Sequence, residues 1–525
     1  MFAILISFLY FVFLFSNYFD FSKEKNKNYV IFAASLILSV ASNGLISMLL
    51  ISRQLVYLPI FLIQSILFLV VVDIRKFKGV FWDFIGGFLY EFSKIRYNYG
   101  KKFSIVISVI LILLFLASFG PINQSDTVNY YVGYPFQYYL RNSHFVDGDL
   151  GQGLLGIGDF ANITFIQEKS IWLIRVLQYL PLLPILLFLV KRKTSNFIIL
   201  IFISSPVFIQ WLTIGKVNFL GDSCLSLIYL CWKSQPSKRY ALITFFVGLI
   251  SISIKISSVL IFIPILVDIL ITYKFNLKSI FIEKKSNFLR GKLIIFLIAI
   301  SSITSIFIYR FYLTGNLFFP IFSSIFSKGN EQFQDWEMML RNFDRDGFYQ
   351  LWIFIPKSPS KIAAVLGPAT GFFFLIKFWK DIKNLIFENK FNLNIGFLQL
   401  IFLLMFAQGR ADYYFSPLLL LVCGTRNLFS DEINNTKYLI INPKTIMKFF
   451  FIAQFFIFTI STFYMISLNI FTIVNYEKAM NMTAFGYYNS KLIKKIGDEP
   501  VLGLAAQPPT LLSHSEFVPN HNNWK

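Results

Sequence analysis

Residues 103–120 read FSIVISVILILLFLASFG, and residues 121–169 continue PINQSDTVNYYVGYPFQYYLRNSHFVDGDLGQGLLGIGDFANITFIQEK. The first run has no charge. As a helix it would cover about 27 Å, close to the hydrocarbon thickness of a bilayer. The second run places Asp126, His144, Asp147, Asp149, Asp159 and Glu168 in a single connection before the next apolar run. Together they predict a greasy helical scaffold with its chemistry concentrated in one loop.

The remainder of the chain has the same character. Of 525 residues, 56% are hydrophobic and 14% charged, with 65 Phe and 26 Tyr. Soluble domains carry about 25% charged residues, so this composition predicts an all-α polytopic membrane protein. About fourteen apolar stretches stand near 1–19, 29–50, 55–72, 103–120, 170–190, 195–212, 217–232, 240–254, 257–273, 293–313, 362–379, 395–408, 413–425 and 449–474. The pair within 240–273 also reads as one long kinked helix. Met1–Phe19 has neither a basic leader nor a small-residue cleavage site and reads as a retained span.

The net charge of +21 resides mainly in short alternate loops. These are Lys23 to Lys27, Arg75 to Lys78 with Lys94 to Lys102, Lys191 to Lys193, Lys233 to Arg239, Lys274 to Lys292, Lys377 to Lys390, and Arg426 to Lys448. With fourteen spans all of them fall on one side, which the positive-inside rule makes the cytoplasm, and both termini lie outside. That distribution, with no nucleic-acid-binding motif beside it, excludes nucleic acid as a partner. Cys224, Cys231 and Cys423 lie in apolar segments and read as packing residues.

The outer side receives 121–169, 314–361 and the tail 475–525. The 314–361 loop has the periodicity of amphipathic helices, and so does Ile74–Lys102 on the basic side. Within the tail, EPVLGLAAQPPTLL reads as strand and loop. The expected organisation is an N-terminal accessory part over 1–102, a core over 103–425, and a last span with a small tail over 426–525.

Asp126 follows the apolar run closely and sits at the outer surface. An Asp in this position is by default a helix cap. The residues after it repeat apolar positions at Val128, Tyr131, Val132, Phe136 and Leu140, predicting an interfacial amphipathic helix bent at Pro135. In HFVDGD, Asp147 and Asp149 with His144 form a D-x-D cluster that suits a divalent cation or an acceptor, and also an ordinary turn. Five glycines between Gly148 and Gly158 let backbone approach a ligand, or simply make a loop. Asp222, Lys255 and Arg410 are charges in or beside apolar spans, where such groups face a cavity, a partner or a ligand. For Lys255 a phosphate, Asp222 and the outer surface are all open. Lys216 stands near Asp222, and the Arg410 guanidinium suits phosphate. The chain has no phosphate-binding P-loop, no dinucleotide fingerprint, no G-x-S-x-G and no H-E-x-x-H, and only three His. ATP-driven transport, serine hydrolysis and zinc proteolysis therefore lose support.

Four elements resemble the GT-C superfamily of membrane glycosyltransferases, which includes the dolichyl-phosphate-mannose-protein mannosyltransferases. SDTVNYYVGYPFQYYL resembles the family's first outer loop, Asp-Ser/Thr-x-x-Tyr-His-x-x-x-Pro, through Asp126, Thr127, Tyr130 and Pro135, with Tyr131 where the His often stands. TGNLFFPIF resembles Thr-Gly-Asn-Pro-x-x-Pro through Thr314, Gly315, Asn316 and Pro320, with Leu317 replacing the first Pro. ISIKISSVL carries Lys255 at a Thr-Lys-aromatic-like element, and GRADYYFSPLLLL carries Arg410, Tyr414 and Pro417 at the start of a late span. The likeness covers most of 103–425.

The resemblance implies a GT-C-like helical bundle with amphipathic outer-loop helices. It further implies an inverting transfer of a hexose from a polyprenyl-phosphate donor to a glycan, lipid or protein acceptor, at the outer face of a bacterial inner membrane. Asp126 would serve as general base or orienting acid. Lys255 and Arg410, with Lys216 behind them, would hold the lipid phosphate. His144, Asp147 and Asp149 would position the acceptor or a metal, and Tyr130, Asp222, Asn316 and Tyr414 would line the cavity. Family members differ in needing a metal, so a divalent cation (Mg2+ or Mn2+) on Asp147 and Asp149 stays open as a cofactor. An O-antigen or capsule polymerase is a second reading, disfavoured by few outer-loop Arg. A flippase or transporter is a third, disfavoured by the lack of visible half-repeats.

Overall fold

The structure, a computed structural model, describes residues 1–19, 21, 24–120, 122, 127–143, 150–274, 286–319, 353–355, 364–388, 395–406, 411–426, 442–475, 478, 501–503 and 517–519. These residues are predominantly helical. In chain order the α-helices are α1 (Phe2–Tyr18), α2 (Lys27–Ser52), α3 (Ile60–Val71), α4 (Ile74–Ser118), α5 (Gly133–Arg141), α6 (Ile157–Phe160), α7 (Asn162–Gln167), α8 (Ile174–Tyr179), α9 (Leu182–Lys191), α10 (Asn196–Ile203), α11 (Val207–Thr213), α12 (Asn218–Ser234), α13 (Lys238–Ile254), α14 (Val259–Thr272), α15 (Ser286–Thr314), α16 (Pro368–Glu388), α17 (Ile395–Phe406), α18 (Phe415–Val422) and α19 (Pro443–Val474). In the tail, β1 (Val501–Gly503) pairs in parallel with β2 (Phe517–Pro519). The strand expected in EPVLGLAAQPPTLL thus exists, and its partner lies downstream.

Among the described residues five helical stretches are long and apolar enough to cross a membrane, or six if the bent pair α10–α11 counts as one. The protein is a helical membrane protein. Among the described residues some of the expected stretches carry helices shorter than a span needs at 1.5 Å per residue, α3 having 12 residues and α18 having 8. The most apolar windows of α4, α15 and α19 are only 33%, 33% and 28% buried, against 78% for α2. Apolar faces that size, uncovered by protein, are what lipid covers. Ile105, Ile112, Ile308, Phe311, Phe456 and Ile473 project from them.

Two sets of contacts define the ends of the bundle. At one end Lys25 N–H donates to Gln235 (2.9 Å) and Lys191 Nζ to the Lys25 carbonyl (2.7 Å). Lys191 also pairs with Glu91 at 3.3 Å, Tyr99 donates to the Thr194 carbonyl (2.7 Å), and Ser195 N–H to Thr425 (3.1 Å). Residues from or beside five of the basic loops therefore meet at this end. At the opposite end residues 127–143 and 150–169 meet residues 1–3, 54–60, 214–216, 253–255 and 309–319. Glu168 accepts the N–H groups of Phe2 and Ala3 (2.8 Å each) and the Met1 amine, capping α1 at its positive pole.

The 240–273 region is a hairpin of two helices. Lys255 is extended (φ −152°, ψ 126°) between α13 and a 3-10 turn that leads into α14. The Phe245 and Phe262 rings stand 6.1 Å apart, which a continuous helix could not bring about across that separation. The break between α10 and α11, a 53° bend at Ser204-Ser205-Pro206, is satisfied from outside. Gln454 donates to the Ile201 carbonyl (2.8 Å), Ser205 to Leu366 (2.6 Å), and Val207 N–H to Val365 (2.9 Å). Broken backbone at this depth demands such partners.

The expected amphipathic helix on the basic side is the first part of α4. It ends at Gly100, whose φ of +82° only glycine adopts without cost. Phe77, Phe84 and Phe88 pack on Phe13, Phe8 and Phe32, while Trp82, Leu89 and Phe92 stay exposed.

Candidate functional site

Residues 127–143 depart from their expected surface position. Thr127–Tyr131 forms a π-helical turn and Gly133–Arg141 an α-helix, so the bend falls at Val132–Gly133. Pro135 sits in the first turn of α5, where its missing N–H is no loss. Tyr134 and Tyr138 are fully buried, and the Tyr138 hydroxyl meets Tyr309 (2.7 Å) and donates to Gln152 (2.9 Å). A helix counted as interfacial is therefore core, because its Tyr residues supply the buried face.

The glycine-rich stretch is packed between helix backbones. A Cβ on Gly156 would lie 1.8 Å from the Ile254 carbonyl oxygen, and one on Gly158 would lie 2.6 Å from Val217. From the other side, a Cβ on Gly44 in α2 would lie 2.1 Å from the Ile157 carbonyl oxygen. The glycines thus admit α2 and the Lys255 turn on either side of the strap.

Once threaded there, the strap presents three successive carbonyls to cations. Arg310 donates through Nε to Gly153 (3.2 Å) and through Nη2 to Leu155 (3.1 Å), while Lys255 Nζ takes the carbonyl between them, Leu154, at 3.1 Å. Lys255 also stands over the Tyr131 ring, 4.6 Å from its centroid, and Lys216 lies 5.2 Å from the same ring. Both distances are in cation–π range. The Tyr131 carbonyl is held by Asn162 (2.7 Å).

Asp159 lies in this group, fully buried, with Oδ2 accepting the Gly156 N–H at 2.9 Å. Burial pushes its carboxyl up to about 6, opposed by the charge of Lys255, the Gly156 N–H, and the charges of Arg310 and Lys216. A raised folded value means that the folded state holds the proton more tightly. The resulting stability is complete below the ordinary value of 3.8 and is lost as pH rises to about 6. For a group this deeply buried the loss is about 3 kcal/mol. Asp159→Asn is accordingly expected to raise the melting temperature in detergent at pH 7.5 and to flatten its decline with pH. Parallel wild-type and variant curves would refute this.

Asp126, His144, Asp147, Asp149 and Arg410 lie outside the described residues. Thr127, next to Asp126, donates its hydroxyl to the Ile214 carbonyl, two residues before Lys216. Tyr130 is half-buried with its ring 5.9 Å from that of Tyr134, and Tyr414 is buried. Asn316 is buried at the end of α15, its side chain accepting the Phe318 N–H (2.9 Å). Asp222 accepts from the Ser258 hydroxyl (2.7 Å), and no ion pair joins it to Lys255 among the described residues. The hairpin turn aims Lys255 at Leu154 and Tyr131 instead.

Sequence reasoning singled out neither Arg310 nor Asp159 as a site residue. Arg310 stands in IFIYRFYLTGN, an intramembrane charge of the kind that marked Lys255, and the same rule would have flagged it. Asp159 carries only the weak signal of a helix-start acid. Among the described residues no cluster of three or more His, Cys, Asp or Glu gathers as a metal site. Asp159 stands among three cations, a donor set that does not suit a divalent cation.

Comparison with protein-family models, curated proteins and solved structures returns no match.

Proposed function

We propose that the protein is an inverting GT-C-type glycosyltransferase that moves a hexose from a polyprenyl-phosphate donor to a glycan, lipid or protein acceptor. The bundle sits in a bacterial inner membrane with its full set of spans, and the end holding 127–169 faces the periplasm. One observation carries this reading. Lys216 and Lys255, from separate turns, converge on the Tyr131 ring of the first outer loop, at the end opposite the basic loops. A lipid-phosphate leaving group needs cations set in advance in a medium of low dielectric. A prenyl chain needs an apolar bundle beside them. Asp126, one residue before the anchored Thr127, is the general base, and Arg410 joins the phosphate site. His144, Asp147 and Asp149 position the acceptor.

The test is transfer of radiolabelled hexose from its polyprenyl phosphate in membranes containing the protein. Asp126→Asn is expected to lower transfer about 10²–10⁴-fold, the usual contribution of a general base. Full transfer by a folded variant removes Asp126 from the mechanism. Movement of lipid-linked sugar across vesicles without transfer would favour the flippase reading, and chain extension of a prenyl-linked glycan the polymerase reading.

A further inference from the structure

We infer that Arg310 is a positioning residue, setting Lys255 at the reaction centre through the backbone of the strap Gly153–Leu155. The role assigned to Lys255 rests on the function proposed above, whereas the mechanical part does not. Arg310 is fully buried near the end of α15. Its Nε and Nη2 span the carbonyls of Gly153 and Leu155, and the intervening Leu154 carbonyl is the one that receives Lys255 Nζ. The strap cannot shift toward the Lys255 turn, because Gly156 already touches the Ile254 backbone. Within the same helix end the Thr314 hydroxyl donates to the Arg310 carbonyl at 2.8 Å.

The type of residue matters. Two nitrogens of a planar guanidinium reach two carbonyls at once, while an ammonium is a single point of charge. If Arg310 acted only through its charge, lysine would replace it. If it acts by bridging, lysine leaves the strap held at one point and the Leu154 carbonyl no longer fixes Lys255. A misplacement of about 1 Å in a catalytic group costs about 10²-fold in rate.

The experiment uses the full chain in native membranes, with Arg310→Lys, Lys255→Met and the double variant. Arg310→Lys is expected to lower kcat about 10²-fold with KM for the polyprenyl-phosphate hexose nearly unchanged. The double variant is expected to be no worse than Lys255→Met alone, because Arg310 works through that residue. Multiplying losses, or a Lys variant as active as wild type, would overturn the inference. A second arm needs no activity. Leu155 is fully buried, so Leu155→Cys in a Cys423→Ser background resists a membrane-impermeant maleimide while Arg310 is present and reacts in the Arg310→Lys protein. Unchanged protection overturns the bridging role. Should Arg310→Lys fail to fold, Arg310→Gln carries the same readouts, its amide reaching one carbonyl without charge. Wild type that transfers no sugar, with Leu155→Cys still unmasked by Arg310→Lys, would reject the proposed function and retain the strap.

Discussion

Gly156→Ala is expected to destabilise the folded protein strongly in detergent, seen as a smaller monodisperse peak and a melting transition lowered by many degrees. The added Cβ would stand 1.8 Å from the carbonyl oxygen and 2.5 Å from the carbonyl carbon of Ile254. Both atoms are backbone, so no side-chain rotation relieves the clash. The strap cannot retreat, because on its far side the Ile157 carbonyl already fills the space beside Gly44. Overpacking of a core costs about 1–3 kcal/mol even where side chains can adjust, and here the cost lies at or above the top of that range. Gly86→Ala is the control. It is helical with open space around its Cβ position, and alanine there should stabilise by about 0.5–1 kcal/mol. A Gly156→Ala protein that melts with wild type would mean that the strap does not thread between α2 and the Lys255 turn.

Lys255→Met should leave the fold intact and remove transfer, with a loss of about 10²–10³-fold, the usual effect of deleting one charge-stabilising donor. Methionine keeps an unbranched apolar stem against Tyr131, so packing is largely preserved. It removes the hydrogen bond to the Leu154 carbonyl and one of the two cations over the Tyr131 ring. The first cation opposing the rise of the Asp159 carboxyl is also lost, so Asp159 should titrate higher still in this variant. A melting curve whose pH-dependent decline extends to higher pH reports that change independently of any assay. Wild-type transfer from Lys255→Met would separate the cation cluster from the chemistry.

The apolar runs, the basic loops between them and the polar character of 121–169 were legible because each is a local property. A run of 18 uncharged apolar residues needs no partner to declare itself, and Lys255 announced itself as a charge between two greasy stretches. Span count was less legible. Length alone separates a membrane-crossing helix from a half-helix, and α10–α11 shows how Pro206 turns one apparent stretch into two pieces. The burial of α5 was not legible, because tyrosines can face either water or core, and only the neighbours Gln152 and Tyr309 choose between them.

From sequence alone came the class of protein, a helical membrane protein with long polar connections between its apolar runs, since hydropathy and charge are summed along the chain. Tertiary structure alone decided which groups meet. Tyr131, Leu154, Asp159, Lys216, Lys255 and Arg310 are scattered over nearly two hundred residues. Their meeting depends on two glycines thin enough to admit helix backbones on both sides of the strap, and on a hairpin that turns at Lys255.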